Sequence, residues 1–280
     1  HHDIFTRQIP LSRLGAVSFL FEIHPFIKIG APFALTGIKT VFMNKTIHRA
    51  NTRGHADHGW LDTYHTFSFA DYYDPRRIRF GTLRVLNDDT IAPGEGFGTH
   101  PHNDMEIVTV ALEGALLHGD SMGNMKVLHP GEIQVMSAGT GITHSEMNAS
   151  ETDRAKLLQI WVFPDAKNHT PRYSQIEPEP AKRNELRTIV APEGNGGERV
   201  GHLHQNAWFS TLDLDKGRAI DYRIHTPANG AYIFVIEGAI EAAGEVLRHR
   251  DGMGVWGSDQ FRIEATADAQ VLIIEVPMGN

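Results

Sequence analysis

From residue 47 onward, short runs of β-branched and aromatic residues alternate with clusters of Gly, Pro, Asn and Asp. These runs recur at about the 8 to 12 residue spacing that is typical of β-sandwiches and β-barrels. Helical periodicity is scarce along the chain, which argues against a doubly wound α/β fold. The pattern therefore predicts an all-β protein. Representative runs are residues 79–86, 106–112, 126–128, 132–136, 156–163 and 231–236.

One stretch of sequence occurs in two similar versions. Glu106-Ile-Val-Thr-Val-Ala-Leu-Glu-Gly114 and Ala231-Tyr-Ile-Phe-Val-Ile-Glu-Gly238 each end a predicted strand with Glu-Gly, and each is followed by a turn and a further short strand. A repeat of this length is too long for a solenoid, so we expect two related barrels in tandem. Residues 164–180 are rich in proline, which discourages both a helix and a central strand, and they are the predicted linker.

Residues 1–42 differ in character from the rest of the chain. They are irregularly apolar and carry two acidic residues against four basic ones, and Met43 behind them has the appearance of a natural start. We expect a leader that is vector-derived or disordered. A signal peptide is the weaker alternative, because Glu22, His24 and Lys28 interrupt its apolar run. No stretch reaches the roughly 18 to 20 apolar residues of a membrane span.

The composition restricts the chemistry that is available. The chain has no cysteine, which excludes thiolate metal sites, cysteine nucleophiles and disulfides. It has 17 histidines, of which the first two resemble the remnant of a purification tag. The net charge is −8 with dispersed Lys and Arg, so no direct nucleic-acid partner and no membrane partner are expected. The absence of disulfides fits a cytoplasmic location, which is our expectation.

Two pairs of potential metal ligands stand out. His100-Pro-His102 places two imidazoles at positions i and i+2, which point to the same face of a strand. His144-Ser-Glu146 is a second such pair, and glycine-rich segments precede both. On facing strands of a small barrel the two pairs would converge. The sequence therefore predicts one metal site formed by His100, His102, His144 and Glu146.

Three imidazoles and a carboxylate suit one divalent transition-metal ion. Iron is our first candidate, and manganese, nickel, cobalt, copper and zinc are the alternatives. Such an ion can keep positions open for substrate or dioxygen. Glu106, counted along one strand, would lie roughly 13 Å from His102, so it is expected either to support the site without binding the ion or to have a structural role alone. His202-Leu-His204 is the rival pair, but no second pair follows it and a solvated loop is the preferred interpretation.

The chain resembles the pirin family of bicupins, and in particular the bacterial pirin-like proteins with quercetinase activity. The resemblance covers residues 47–278 and rests on several motifs read together. They are Phe67-Ser-Phe-Ala-Asp-Tyr-Tyr-Asp74, Gly96-Phe-Gly-Thr-His-Pro-His102, Glu106-Ile-Val-Thr, Glu113-Gly114, Gly139-Thr-Gly-Ile-Thr-His-Ser-Glu146 and Leu158-Gln-Ile-Trp-Val162. It implies an all-β fold of two tandem cupin barrels, and we expect the metal-binding barrel at residues 43–165 and a linker with the C-terminal barrel at residues 166–280. The second barrel has no His or carboxylate pair where the first has its ligands, so we expect it to be metal-free.

The family resemblance implies a metal-dependent dioxygenase of the quercetin 2,3-dioxygenase type, which cleaves flavonols such as quercetin with dioxygen and releases carbon monoxide. Glu146 would act as the catalytic general base that accepts the proton of the flavonol 3-hydroxyl. The alternative is a non-catalytic protein that senses metal redox state and binds a protein partner. The sequence does not decide between these two functions.

Overall fold

The computed structural model describes residues 43–279, so the predicted leader, residues 1–42, lies outside the described residues. The described residues form twenty strands and one short 3-10 helix, Ala50–Thr52. The strands are β1 (Asn44–His48), β2 (Gly54–Asp57), β3 (Leu61–His65), β4 (Leu83–Ile91), β5 (Gly96–His102), β6 (Glu106–Glu113), β7 (Leu116–Asp120), β8 (Met125–Leu128), β9 (Ile133–Ser137), β10 (Ile142–Asn148), β11 (Ala155–Val162), β12 (Arg172–Ile176), β13 (Leu186–Pro192), β14 (Gly201–Leu203), β15 (Trp208–Leu214), β16 (Ala219–Arg223), β17 (Asn229–Ala242), β18 (Glu245–Arg248), β19 (Gly252–Trp256) and β20 (Gln260–Pro277).

The first barrel consists of two antiparallel sheets. A seven-stranded sheet has the order β12-β9-β6-β11-β4-β3-β2, and a four-stranded sheet has the order β5-β10-β7-β8. Side chains of the smaller sheet reach those of the larger one: the Glu146 carboxylate on β10 accepts a hydrogen bond from Gln159 on β11. The two sheets therefore face each other and enclose the interior of the barrel.

The second barrel is a single nine-stranded sheet. Its main path is β1-β19-β17-β20-β15-β13-β14, with β16 paired to β20 and β18 to β17. The long strands β17 and β20 pair along most of their length, with three register shifts that bend the sheet. Its interior is filled by apolar side chains such as Tyr222, Ile233 and Ile273. The prediction of an all-β fold with two barrels is confirmed.

Two strands pair outside the half of the sequence in which they occur. β1 pairs with β19 in the second barrel, and β12 pairs with β9 in the first. β12 lies within the proline-rich segment that was predicted as the linker, and it takes an edge position, which is where proline-rich sequence is tolerated. The domain boundaries at residues 43, 165 and 166 stay a prediction.

A continuous apolar core joins the two barrels. One cluster combines buried residues of the first barrel, such as Phe67 and Leu158, with residues of the second, such as Phe209 and Phe234. Such a shared core holds the barrels in a fixed relation, since separating them would expose large apolar side chains to water. Among residues 43–279 no helix is long and apolar enough to cross a membrane.

Candidate metal centre

Strands β5 and β10 bring the two predicted ligand pairs side by side. His100 is the cross-strand partner of His144, and His102 is the partner of Ile142. A register shift between His144 and Glu146 follows, so that Glu146 pairs with Phe97. A β-bulge of this kind changes the local twist and direction of a strand, and Glu146 and His144 still have ligand atoms within 4.8 Å of each other.

Three imidazoles form a compact cluster at this point. The ring centroids of His100, His102 and His144 lie 4.5 to 4.9 Å apart. One ring nitrogen of each lies within 4.8 Å of the other two. His144 is 1% exposed, and neither of its ring nitrogens has a hydrogen-bond partner. Unpaired buried nitrogens are costly, whereas a metal ion would satisfy them, so this donor set fits a divalent transition metal.

The tautomer of His100 can be read from its surroundings. Its Nδ1 lies 2.7 Å from the carbonyl oxygen of Gly98, and a carbonyl only accepts hydrogen bonds. Nδ1 therefore carries the hydrogen, and Nε2 keeps its lone pair. This is the arrangement usual for metal-binding histidines, whose second nitrogen donates to a carbonyl or carboxylate.

The cluster favours neutral imidazoles, which are the form that binds metal. Burial, together with the neighbouring His144 and His100, lowers the pKa of His102 to about 4. Burial, together with His100 and His118, lowers the pKa of His144 to about 3. Each of these causes disfavours a positive charge on the ring, and together they outweigh the opposite effects of Glu146 on His102 and of Asp120 on His144.

Glu146 lies beside the three histidines in a second group of potential ligands. Its carboxylate, His144 and His118 have ligand atoms within 4.8 Å of one another. The carboxylate is 3% exposed. Gln134 Nε2 donates to Oε1 at 3.0 Å, and Gln159 Nε2 donates to Oε2 at 2.8 Å. All four predicted residues line one cavity, but Glu146 groups with His144 and His118 and not with His100 and His102, so that His144 is shared by the two groups. Both groups found among residues 43–279 belong to the first barrel.

His118 is a site residue that the sequence analysis missed. It is fully buried on β7, where it is the cross-strand partner of Glu146. Its Nε2 lies 3.0 Å from Asp120 Oδ2, so the Nε2 hydrogen is donated to the carboxylate and the unpartnered Nδ1 keeps its lone pair. The ring stacks on Tyr173 with centroids 4.3 Å apart. The only sequence signal was His118-Gly-Asp120 on a predicted strand, which lacks the spacing of a ligand pair.

The seven-stranded sheet presents a row of polar side chains to this site. Cross-strand partners lie on the same face of a sheet, and the pairing links one polar residue on each of six strands. We call this set the polar row: His65, Asn87, Gln159, Thr109, Gln134 and Gln175. Glu146, on the opposite sheet, contacts this row. In addition to its bonds with the two glutamines, Oε1 of Glu146 lies 3.3 Å from Oγ1 of Thr109.

A cavity opens between the two sheets. One wall carries the histidines and Glu146, and the other carries Asn87, Asp89, Gln159 and Trp161. Phe69, Phe97 and Ile107 complete an apolar lining. Burial raises the pKa of Asp89 to about 7.

Glu106 lies apart from the ligand cluster. It begins β6, whereas His102 ends β5, so the two residues are on different strands and the distance counted along one strand was wrong. Its buried carboxyl accepts hydrogen bonds from Ser137 Oγ at 2.7 Å and from the His204 backbone N–H at 3.2 Å. Burial raises its pKa to about 7. Glu106 therefore ties the loop between β5 and β6 to the segment after β14.

The rival pair is not a solvated loop. His202 lies on β14, and both His202 and His204 are partly buried. The His204 ring stacks on His169 with centroids 4.0 Å apart. That interpretation was wrong because β14 pairs with β13 and packs beside β9, a long-range arrangement that no local pattern predicts.

Two β-barrels, with a cluster of histidines and a carboxylate inside the first, define the class as a bicupin with one candidate metal centre. A family model described as Pirin matches residues 46–162. A model described as the quercetinase C-terminal cupin domain matches residues 188–276. The chain belongs to the pirin family.

Individual relatives agree with this assignment. Quercetin 2,3-dioxygenase of Escherichia coli strain K12 is 43% identical over 233 residues, which cover 82% of this chain and 98% of that protein. A pirin-like protein of Caulobacter vibrioides is 36% identical over 223 residues, which cover 79% of this chain and 95% of that protein. The crystal structure of bacterial pirin YhhW from Escherichia coli in complex with nickel(II) matches with a TM-score of 0.79 at 41% identity, over 84% of this chain and 100% of that one.

Proposed function

We propose that the protein is a metal-dependent dioxygenase that cleaves flavonols such as quercetin and releases carbon monoxide. The observation that carries the proposal is His144, whose two ring nitrogens are buried without a partner in the histidine cluster that lines the cavity. The similarity to quercetin 2,3-dioxygenase of Escherichia coli supports the substrate class.

His100, His102, His144 and Glu146 are the proposed ligands of one divalent transition-metal ion. The structure of YhhW in complex with nickel(II) supports a divalent ion in this chain, and iron remains our first candidate. When bound, the ion would supply Lewis acidity that lowers the pKa of a coordinated flavonol hydroxyl and would bring the flavonol and dioxygen together.

Glu146 is the proposed general base. A carboxylate has about four lone-pair positions, and Gln134 and Gln159 each occupy one of them. The single hydroxyl hydrogen of Thr109 can point to Glu146 Oε1 or to Gln159 Oε1, which lie 3.3 and 3.2 Å away. When it turns to Gln159, Glu146 has one more lone pair free. The carboxylate can then bind the ion and still accept the proton of the flavonol 3-hydroxyl.

The remaining side chains position the substrate and limit access of water. Phe97 and Trp161 are aromatic surfaces against which a flat flavonol can stack, and the Trp161 ring also contacts His102 with centroids 4.9 Å apart. An apolar lining strengthens electrostatic interactions inside the cavity, because it excludes water.

The proposal is tested by metal analysis of the purified protein together with dioxygen-dependent loss of quercetin absorbance. We expect turnover that requires the metal, is restored when the metal is added back, and yields carbon monoxide. His129→Ala is the matched control, because it removes an exposed imidazole from the turn after β8. Bound metal without turnover would contradict the dioxygenase and favour the alternative, a metal-dependent regulator that binds a protein partner.

A further inference from the structure

The polar row contains side chains that are hydrogen-bonded to one another or to Glu146, and others that include a buried atom without a hydrogen-bond partner. Around Glu146, the side chains of Thr109, Gln134 and Gln159 bond to the carboxylate or to one another. Towards the other edge of the sheet, Asn87 Oδ1 is buried and has no hydrogen-bond partner. A buried polar atom without a partner destabilises the folded protein, so its presence calls for an explanation.

Asn87 and Asp89 lie at positions i and i+2 of β4, so they point to the same side of the strand. Each is 3% exposed, and both line the cavity that contains the histidines. Asp89 receives a hydrogen bond of 2.5 Å from Thr63 Oγ1, its cross-strand partner, which holds the carboxyl in place. An amide and a carboxyl thus stand side by side on the cavity wall.

The surroundings of this pair are aromatic. Phe69, Phe97 and Trp161 line the same cavity, and Trp161 Nε1 is a further buried donor without a partner. Flat apolar walls combined with a few fixed polar groups are typical of sites that bind a planar aromatic ligand and orient it by its substituents. The open polar groups match ring hydroxyls, which both donate and accept.

We propose that Asn87 and Asp89 are specificity-determining residues, which hydrogen-bond hydroxyl groups on the rings of a polyhydroxylated flavonol whose 3-hydroxyl faces the histidines. This inference rests on the proposed function for the identity of the ligand class. It adds that the wall opposite the metal ligands selects substrates by hydroxyl groups that take no part in the reaction. A flavonol without those hydroxyls gains nothing from Asn87 and Asp89.

The test compares quercetin with 3-hydroxyflavone, which has the same skeleton and only the 3-hydroxyl. Binding is measured by quenching of tryptophan fluorescence in metal-loaded protein without dioxygen, so turnover does not interfere. Loss of one hydrogen bond corresponds to roughly a tenfold weaker Kd. We expect Asn87→Leu and Asp89→Ala each to weaken quercetin binding by about that factor and to leave 3-hydroxyflavone binding unchanged.

Thr90→Val is the control on the same strand, since Thr90 lies on the other face of β4. If Asn87→Leu does not fold, Asn87→Ala tests the same expectation with a smaller side chain. Equal weakening of both flavonols, no weakening of either, or no binding of quercetin by the wild type would each overturn the proposal. Selective weakening in a protein that never turns quercetin over would support this inference while removing the dioxygenase function.

Discussion

His100 and His144 are direct cross-strand partners on β5 and β10, with ring centroids 4.5 Å apart. The pairing brings together two residues that are far apart in the sequence, and it does so on strands whose backbones are locked by a ladder of hydrogen bonds. The imidazoles are therefore held in place before any ligand arrives. Such preorganisation reduces the cost of binding a metal ion.

His102→Ala is expected to abolish stoichiometric metal binding and flavonol turnover while the barrel stays folded. The side chain is only partly buried, and its ring contacts are with His100, His144 and Trp161. Elemental analysis and circular dichroism check the two parts of this prediction, with His129→Ala as the control. Full metal content in His102→Ala would disprove the ligand assignment.

Glu146→Gln separates the role of a base from that of a ligand. The new amide lacks the second acceptor oxygen, so Gln134 or Gln159 loses a partner and metal binding weakens. General-base catalysis contributes roughly 10² to 10⁴ in rate, so kcat should fall by at least about 100-fold and further than metal affinity does. The measurements are steady-state kinetics at saturating metal and a metal titration. Equal losses of rate and affinity would indicate that Glu146 is a ligand only.

His118→Phe is expected to weaken metal binding by roughly 10- to 100-fold, which is the usual effect of removing a group that supports metal ligands. Phenylalanine keeps the stack on Tyr173 but removes the buried Nδ1 next to His144 and Glu146. Competition with a chelator of known affinity gives the change. Tyr173→Phe, which also keeps the stack, serves as the comparison, and unchanged affinity in His118→Phe would show that the ring only fills space.

Gly96→Ala should destabilise the protein, because a Cβ at this position would lie 2.3 Å from the backbone oxygen of Glu146. Overpacking of this kind costs about 1 to 3 kcal/mol. Gly98→Ala is the matched control on the same strand, since nothing lies within 4 Å of its added Cβ. Urea unfolding of both variants measures the difference. Equal stability of the two would mean that β5 can move away from β10 at little cost.

Glu106 makes stability depend on pH. Its pKa is about 7 in the folded protein, against 4.5 for the free side chain. Between these values the folded state binds more protons than the unfolded state, so stability falls as the pH rises from about 4.5 through 7. The loss is on the order of 3 kcal/mol. Glu106→Gln keeps an acceptor for Ser137 and cannot ionise, so its free energy of unfolding should fall less between pH 5 and 8. Parallel pH profiles for the two proteins would contradict this assignment.

The sequence was sufficient to predict the all-β fold, the tandem barrels and four of the residues in the candidate metal site. His-X-His and His-X-Glu are local patterns whose side chains share a face on any strand, so their convergence needed only that β5 and β10 be neighbours. The metal-binding role of these four residues stays a prediction until metal content is measured.

The polar row was beyond the reach of the sequence for a physical reason. Thr109, Gln134 and Gln159 each appear as one polar residue within an apolar run, a pattern that surface strands also show. Whether these side chains face the cavity depends on the register of strand pairing, since a shift of one residue would turn each of them to the other face of the sheet. Register is set by pairing between distant strands. The same applies to His118, whose position opposite Glu146 follows from the pairing of β7 with β10.

β1 and β12 each pair with a strand of the other barrel's half of the sequence, and this determines whether the two barrels can be produced as separate fragments. A chain cut after residue 165 would leave β1 in the first fragment without β19, and β12 in the second fragment without β9. Each fragment would carry an orphaned strand and an uncovered sheet edge, and such edges promote aggregation. The smallest piece that folds on its own should therefore be the entire two-barrel unit, and calorimetry should show both barrels melting in one cooperative transition.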